Sequence, residues 1–77
     1  MGNFMSSIEI VNGPFLGQTV NAIVTDETGN WQIIDTILLL SDMTEATKTN
    51  LLSQMQVAAE RYADYWSKLG LDTVPKL

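Results

Sequence analysis

Cysteine and histidine are both missing from this 77-residue sequence, and the two absences remove much chemistry. Without thiols there is no disulfide and no thiolate nucleophile; without imidazole the commonest general base at neutral pH is gone. A zinc site built on either ligand is excluded too. Basic residues are nearly as scarce. Lys48, Arg61, Lys68 and Lys76 stand against nine acidic residues, for a net charge of −5. A nucleic-acid surface needs cations clustered to neutralise phosphates, so direct DNA or RNA binding is not expected. Long apolar runs are absent as well: the longest, Ile37–Leu40, falls far short of the ~18 residues that cross a bilayer. No positively charged leader is visible. These features describe a soluble chain, cytoplasmic or held within a virion or other assembly.

What is present centres on residues 44–69, TEATKTNLLSQMQVAAERYADYWSKL. On a helix at ~100° per residue, Leu51, Leu52, Met55, Ala58, Ala59, Tyr62, Tyr65, Trp66 and Leu69 form one arc. Ser53, Glu60, Asp64, Ser67 and Lys68 fall opposite. With Ala63 included the arc is about 160° wide, broader than the ~100° stripe of an ordinary surface helix. Asp42 and Glu45 have the spacing of a capping box, which opens the helix at residue 42. Asp64 and Lys68 form a favourable pair four residues apart. Gly70 suits the position just past the helix end, with Leu71 folding back in a Schellman contact. Pro75 prevents any resumption of the helix in the tail, 70–77.

Ahead of the helix the period changes to two. Residues 1–7 carry little pattern and read as a flexible start, with Phe4 and Met5 able to tuck against a neighbour. Ile8-Glu9-Ile10-Val11 reads as a first strand, broken by Asn12-Gly13-Pro14. Phe15 and Leu16 could fold over a sheet edge. Thr19–Thr25 is a second strand, with Val20, Ala22 and Val24 on one face. Asp26–Asn30 reads as a solvated hairpin loop. Trp31–Leu40 is taken as the third strand, although Leu38–Leu40 would also suit a helix. The expected fold is therefore α+β and a single domain over 1–77. A three-stranded antiparallel meander over 8–40 is followed by one long C-terminal helix, 42–69, packed on the sheet. A helix of about 26 residues spans ~39 Å, whereas strands of about six span ~20 Å. One helix end should overhang.

Sites for chemistry are few. Five serines are present, none in a nucleophile elbow. Asp26-Glu27 could contribute to a calcium site, or serve only as turn residues. Asp35, one acid within WQIIDTILLL, could be a buried functional carboxylate, or mark the wet side of a strand. The opening residues 1–6 fit the N-myristoylation pattern at Gly2, with no second membrane signal nearby. The stretch Ile8-x-Ile10-Val11-Asn12-Gly13-Pro14-Phe15-x-Gly17 resembles the opening of a KOW motif, an SH3-like element of ribosomal and transcription-elongation proteins. That likeness covers about 17 residues of turn chemistry. Val20 stands where the motif has glycine, and the acidic charge and long helix depart from such a barrel. Neither cofactor nor metal is implied, and no catalysis is expected.

The expectation for function follows from size. A domain this small buries only ~60–65% of its unfolded surface, and with no disulfide or zinc available, oligomerisation or docking is the remaining support. The leading reading is a non-enzymatic protein-interaction module that self-associates or docks on a larger protein through its helix. The partner-binding residues are then Leu51, Leu52, Met55, Ala59, Tyr62, Tyr65, Trp66 and Leu69. By analogy such chains resemble phage or viral accessory and structural proteins, or small inhibitors. Two alternatives stand beside it. One is a small-ligand pocket between helix and sheet, lined by Trp31, Asp35, Tyr62 and Trp66. The other is an acidic decoy for a nucleic-acid-binding enzyme.

Overall fold

A computed structural model of the protein describes residues 3–13 and 17–76. Gly2, Phe15 and Leu16, and with them the acylation pattern and part of the KOW-like stretch, lie outside the described residues. The chain forms β1 (Met5–Asn12), β2 (Gly17–Thr25), β3 (Trp31–Leu40) and α1 (Glu45–Lys68). The strands make one antiparallel sheet in the order β1-β2-β3, and α1 packs on one face of it. This is the α+β meander-plus-helix expected from the periodicity. The helix lies mainly over β1 and β2 and touches β3 least.

β2 organises the core because its β-branched and small residues alternate strictly. Val20, Ala22 and Val24 are fully buried toward α1. At one end they meet Leu39, Met55 and Ala59, with Ile8, Ile34, Ile37, Met43, Leu51 and Leu52 around them. At the other, Val24, Ala63 and Trp66 are joined by Phe4, Ile34, Leu71 and Val74.

The apolar run of β3 is divided by a bulge. Ala22 opposes Asp35 but Ile23 opposes Ile33, so Ile34 is one residue too many in the ladder. An extra residue inverts the alternation of side chains. On one side of the bulge Ile37 and Leu39 join the core; on the other Ile34 does, reaching both clusters. Trp31, Leu38 and Leu40 are left exposed.

Two boundaries shift for a packing reason. β1 starts at Met5 rather than Ile8, because Ser6 and Met5 pair with Val24 and Thr25. Of the expected flexible start, residues 5–7 are thus tied into the sheet. The Phe4 ring also meets Trp66 edge-on, with centroids 6.1 Å apart. The helix starts at Glu45 rather than 42. Its N-cap is Thr44, whose hydroxyl oxygen accepts from the Thr47 N–H at 3.1 Å. Asp42 lies before the cap, in a turn where the Met43 N–H donates to the Leu40 carbonyl and Met43 enters the core.

The other end of α1 closes as the sequence suggested. Gly70 has φ +77°, its N–H donates to Ser67 O at 3.0 Å, and the Leu71 N–H donates to Trp66 O at 3.2 Å. That is the double bond pattern of a Schellman motif.

Candidate interaction surface

The helix residues expected to meet a partner divide into two groups. Met55, Ala59 and Trp66 are spent on the chain's own core, and Leu51 and Leu52 are half-buried against it. Tyr62, Tyr65 and Leu69 stay exposed, Tyr65 by 57%. The wide arc is therefore sheltered by the sheet along its centre and bare along one flank. More of the helix found cover because β1 and β2 are longer than expected, at 8 and 9 residues, while β3 keeps its expected ten. They run under most of the 24-residue helix, and the expected overhang shrinks accordingly. On the bare flank, Tyr62 stacks edge-on against Trp66 with centroids 5.5 Å apart. An open cleft of about 490 Å³ beside it is lined by Ser53, Gln54, Val57, Ala58, Arg61 and Tyr62.

A second surface, which the helical period could not signal, is the sheet face turned away from α1. A solvated antiparallel face ordinarily alternates to polar residues. Here the register aligns five rows across it: Met5–Thr25–Trp31, Ser7–Ile23–Ile33, Glu9–Asn21–Thr36, Val11–Thr19–Leu38, and Gly17–Leu40. Met5 is 67% exposed, Trp31 60% and Leu38 56%, with Val11 and Leu40 also exposed. Apolar side chains thus occupy both ends of the face. The middle row is polar and bonded within itself. Asn21 Nδ2 donates to Glu9 Oε1 at 3.1 Å, and the Thr36 hydroxyl donates to Asn21 Oδ1 at 2.8 Å. The signal in the sequence was present but divided: Trp31, Leu38 and Leu40 belong to one run, and only the bulge assigns them to this side.

The pocket of four residues considered from the sequence does not assemble. Trp66 is buried beneath the helix while Trp31 stands in an outer row of the sheet, and Asp35 is exposed at the bulge on the β3 edge. The bulge separates them, because it turns Trp31 outward and Ile34 inward. Asp35 is the wet residue of its strand, its carboxylate accepting from the Thr36 N–H at 2.9 Å.

Asp26 is more consequential than its loop position suggests. Expected to be solvated, it is 3% exposed. One carboxylate oxygen accepts from the Thr28 N–H, the Thr28 hydroxyl and the Asn30 N–H at 2.9, 2.6 and 3.0 Å; the other accepts from the Val74 N–H at 2.9 Å. The Thr28 hydroxyl bond is the largest influence holding its carboxyl below the ordinary value. Burial opposes it, and the backbone N–H donors of Val74, Asn30 and Thr28 add to it. With its oxygens so engaged, Asp26 fastens the tail to the hairpin rather than reaching for a cation. Among the described residues no three acidic side chains converge as a metal site requires, and no helix is long and apolar enough to cross a membrane.

Compared with known proteins, the chain matches no family model, no curated protein and no solved structure. Functional inference rests on the surface alone.

Proposed function

We propose that the protein is a non-catalytic protein-interaction module that works through apolar surface its own helix leaves uncovered. One observation carries this reading: the outer sheet face holds Met5, Val11, Trp31, Leu38 and Leu40 exposed in aligned rows. Single exposed apolar residues need no explanation, but here two apolar groups, Met5 with Trp31 and Val11 with Leu38 and Leu40, flank one polar row, and grouped exposure of this kind marks association surfaces. Trp and Tyr anchor such surfaces well because a rigid apolar ring carries a polar tip. The helix flank of Tyr62, Tyr65 and Leu69 supports a second docking site, favoured by its exposed rings beside an open cleft.

Covalent footprinting tests the reading. The chain is labelled once as dilute purified protein and once in extract of its native source, and modification at Met5, Trp31, Leu38 and Tyr65 is read by mass spectrometry. Protection of either set in the extract is the expected result. Equal labelling at all four positions under both conditions refutes the reading.

A further inference from the structure

We infer that the occupant of the outer sheet face is a second copy of this chain, packed sheet to sheet about a twofold axis with both helices outermost. The inference rests on the reading as an interaction module and names the partner. Area is the first support. The chain exposes 5255 Å², whereas a folded monomer of 8.5 kDa exposes about 4,700 Å². A two-layer chain with one sheet face bare is expected to carry such an excess, roughly 600 Å² by that same scaling. Strands spaced ~4.8 Å apart and rising ~3.3 Å per residue give a three-stranded footprint of about 400 Å², before side-chain relief is added. Two copies would bury roughly 800 Å² of footprint, and side-chain relief brings the total toward the ~1,000 Å² that a specific interface needs.

Charge is the second support. Of the nine acidic residues, only Glu9 stands in the outer rows, and no basic residue does. A cationic partner would find one carboxylate there. A second copy finds a near-neutral apolar face like its own, while the rest of each chain's negative charge is held away from the contact. The polar middle row enters such a contact with Glu9, Asn21 and Thr36 already bonded to one another, which limits the cost of burying it.

The same charge selects the orientation. Packed sheets lie about 10 Å apart with strands crossing near −30°, and a twofold axis can run along β2 or across the strands. The axis across the strands would stack the two Glu9 carboxylates. The axis along β2 sets β1 of each copy over β3 of the other, so Glu9 faces Thr36 of the partner subunit and Val11 faces Leu38 of the partner subunit. The two Glu9 side chains are then about 10 Å apart laterally, two strand spacings.

Sedimentation of the full chain from low micromolar to about 100 µM tests the inference. Wild type is expected to equilibrate between monomer and dimer. Leu38→Lys should raise Kd by about 100-fold, the scale of a buried interface anchor, and Tyr65→Lys should leave it within about threefold, the scale of a site outside the contact. Both positions are exposed, so at concentrations where wild type is monomeric the circular dichroism and urea midpoints of the variants should match it. Thr36→Lys fixes the orientation. With the axis along β2 each new cation faces Glu9 of the partner subunit and should lower Kd by about fivefold, the scale of a partly exposed ion pair. The axis across the strands would instead stack the two cations and raise Kd.

A wild type that stays monomeric throughout overturns the inference. So does a dimer dispersed by Tyr65→Lys but not by Leu38→Lys, and a Thr36→Lys dimer weaker than wild type overturns the orientation. A monomer whose outer face is still protected from labelling in extract refutes the second copy and leaves the interaction module standing.

Discussion

Asp26 shows how one side chain can hold distant parts of a small chain together. Its Thr28 and Asn30 bonds close the β2–β3 hairpin, and its bond to Val74 spans 48 residues to hold the tail beside the same loop. Turn chemistry at Asp26 was legible from its neighbours, since aspartate commonly bonds backbone two residues on. The tail contact was not, because nothing local to Val74 announces an acceptor. Its depressed pKa has a definite sign in linkage. The folded state binds the proton less readily than the unfolded chain, so the stabilisation is present above the ordinary value of 3.8 and is lost as pH falls through the lower folded value. Asp26→Asn is therefore expected to lower the melting temperature by several degrees at pH 7. The gap from wild type should narrow as acidification proceeds below about pH 4, the ordinary carboxylate range; a gap that is constant from pH 7 to pH 2 would contradict this account. Lys68 and Asp64 form the opposite case. Their ion pair at 2.8 Å raises the Lys68 pKa, through the hydrogen bond first and then the charge, but both side chains are well exposed. Lys68→Ala should leave the urea midpoint nearly unchanged.

At the scale of elements, α1 is defined at both ends by local chemistry, with different legibility. Its C-terminus was readable because Gly70 is the residue that adopts positive φ without strain. A Cβ there meets nothing within 4 Å, so Gly70→Ala isolates the backbone term and should cost about 1 kcal/mol in urea unfolding. The N-terminus lies three residues beyond the start that Asp42 suggests. Asp42 and Thr44 are both good caps, and the choice between them is made by Met43, which must reach the Leu39–Met55 cluster. Thr44→Ala should accordingly cost about 1 kcal/mol, whereas Asp42→Ala should cost a few tenths at most. Equal effects at the two positions would place the cap back at Asp42. The β3 bulge belongs to this scale as well. Ten residues with apolar character on both parities admit two assignments of inside and outside, and packing against α1 selects the mixed one, with Ile34 between the two core clusters.

For the whole molecule, one helix and one three-stranded sheet make two layers, and only one sheet face can be covered. The flattened shape, 43 × 23 × 17 Å, follows from that stoichiometry. Stability and association should then be linked. If the bare face is closed by a second copy, the melting temperature should rise by about 4 °C for each tenfold increase in protein concentration, in proportion to the mass-action gain. The two tryptophans offer an optical check. Trp66 is buried in the folded chain, whereas Trp31 is open in the monomer. The fraction of emission quenched by acrylamide should fall as concentration rises. A quenchable fraction that does not depend on concentration would mean that Trp31 stays in water.

Local sequence alone determined the order of elements, the β2 core face, the glycine end of the helix and the exclusion of thiol and imidazole chemistry. Each of these depends on a period, a backbone preference or a residue type that is present or absent. Only the tertiary structure decided which of the apolar residues remained uncovered. Helical periodicity ranks residues by face, but whether a face is sheltered depends on how far the strands extend beneath it and which parity a bulge leaves inside. Those are relations between segments distant in the chain, which is why Met55 and Trp66 proved to be core while Trp31 and Leu38 became surface.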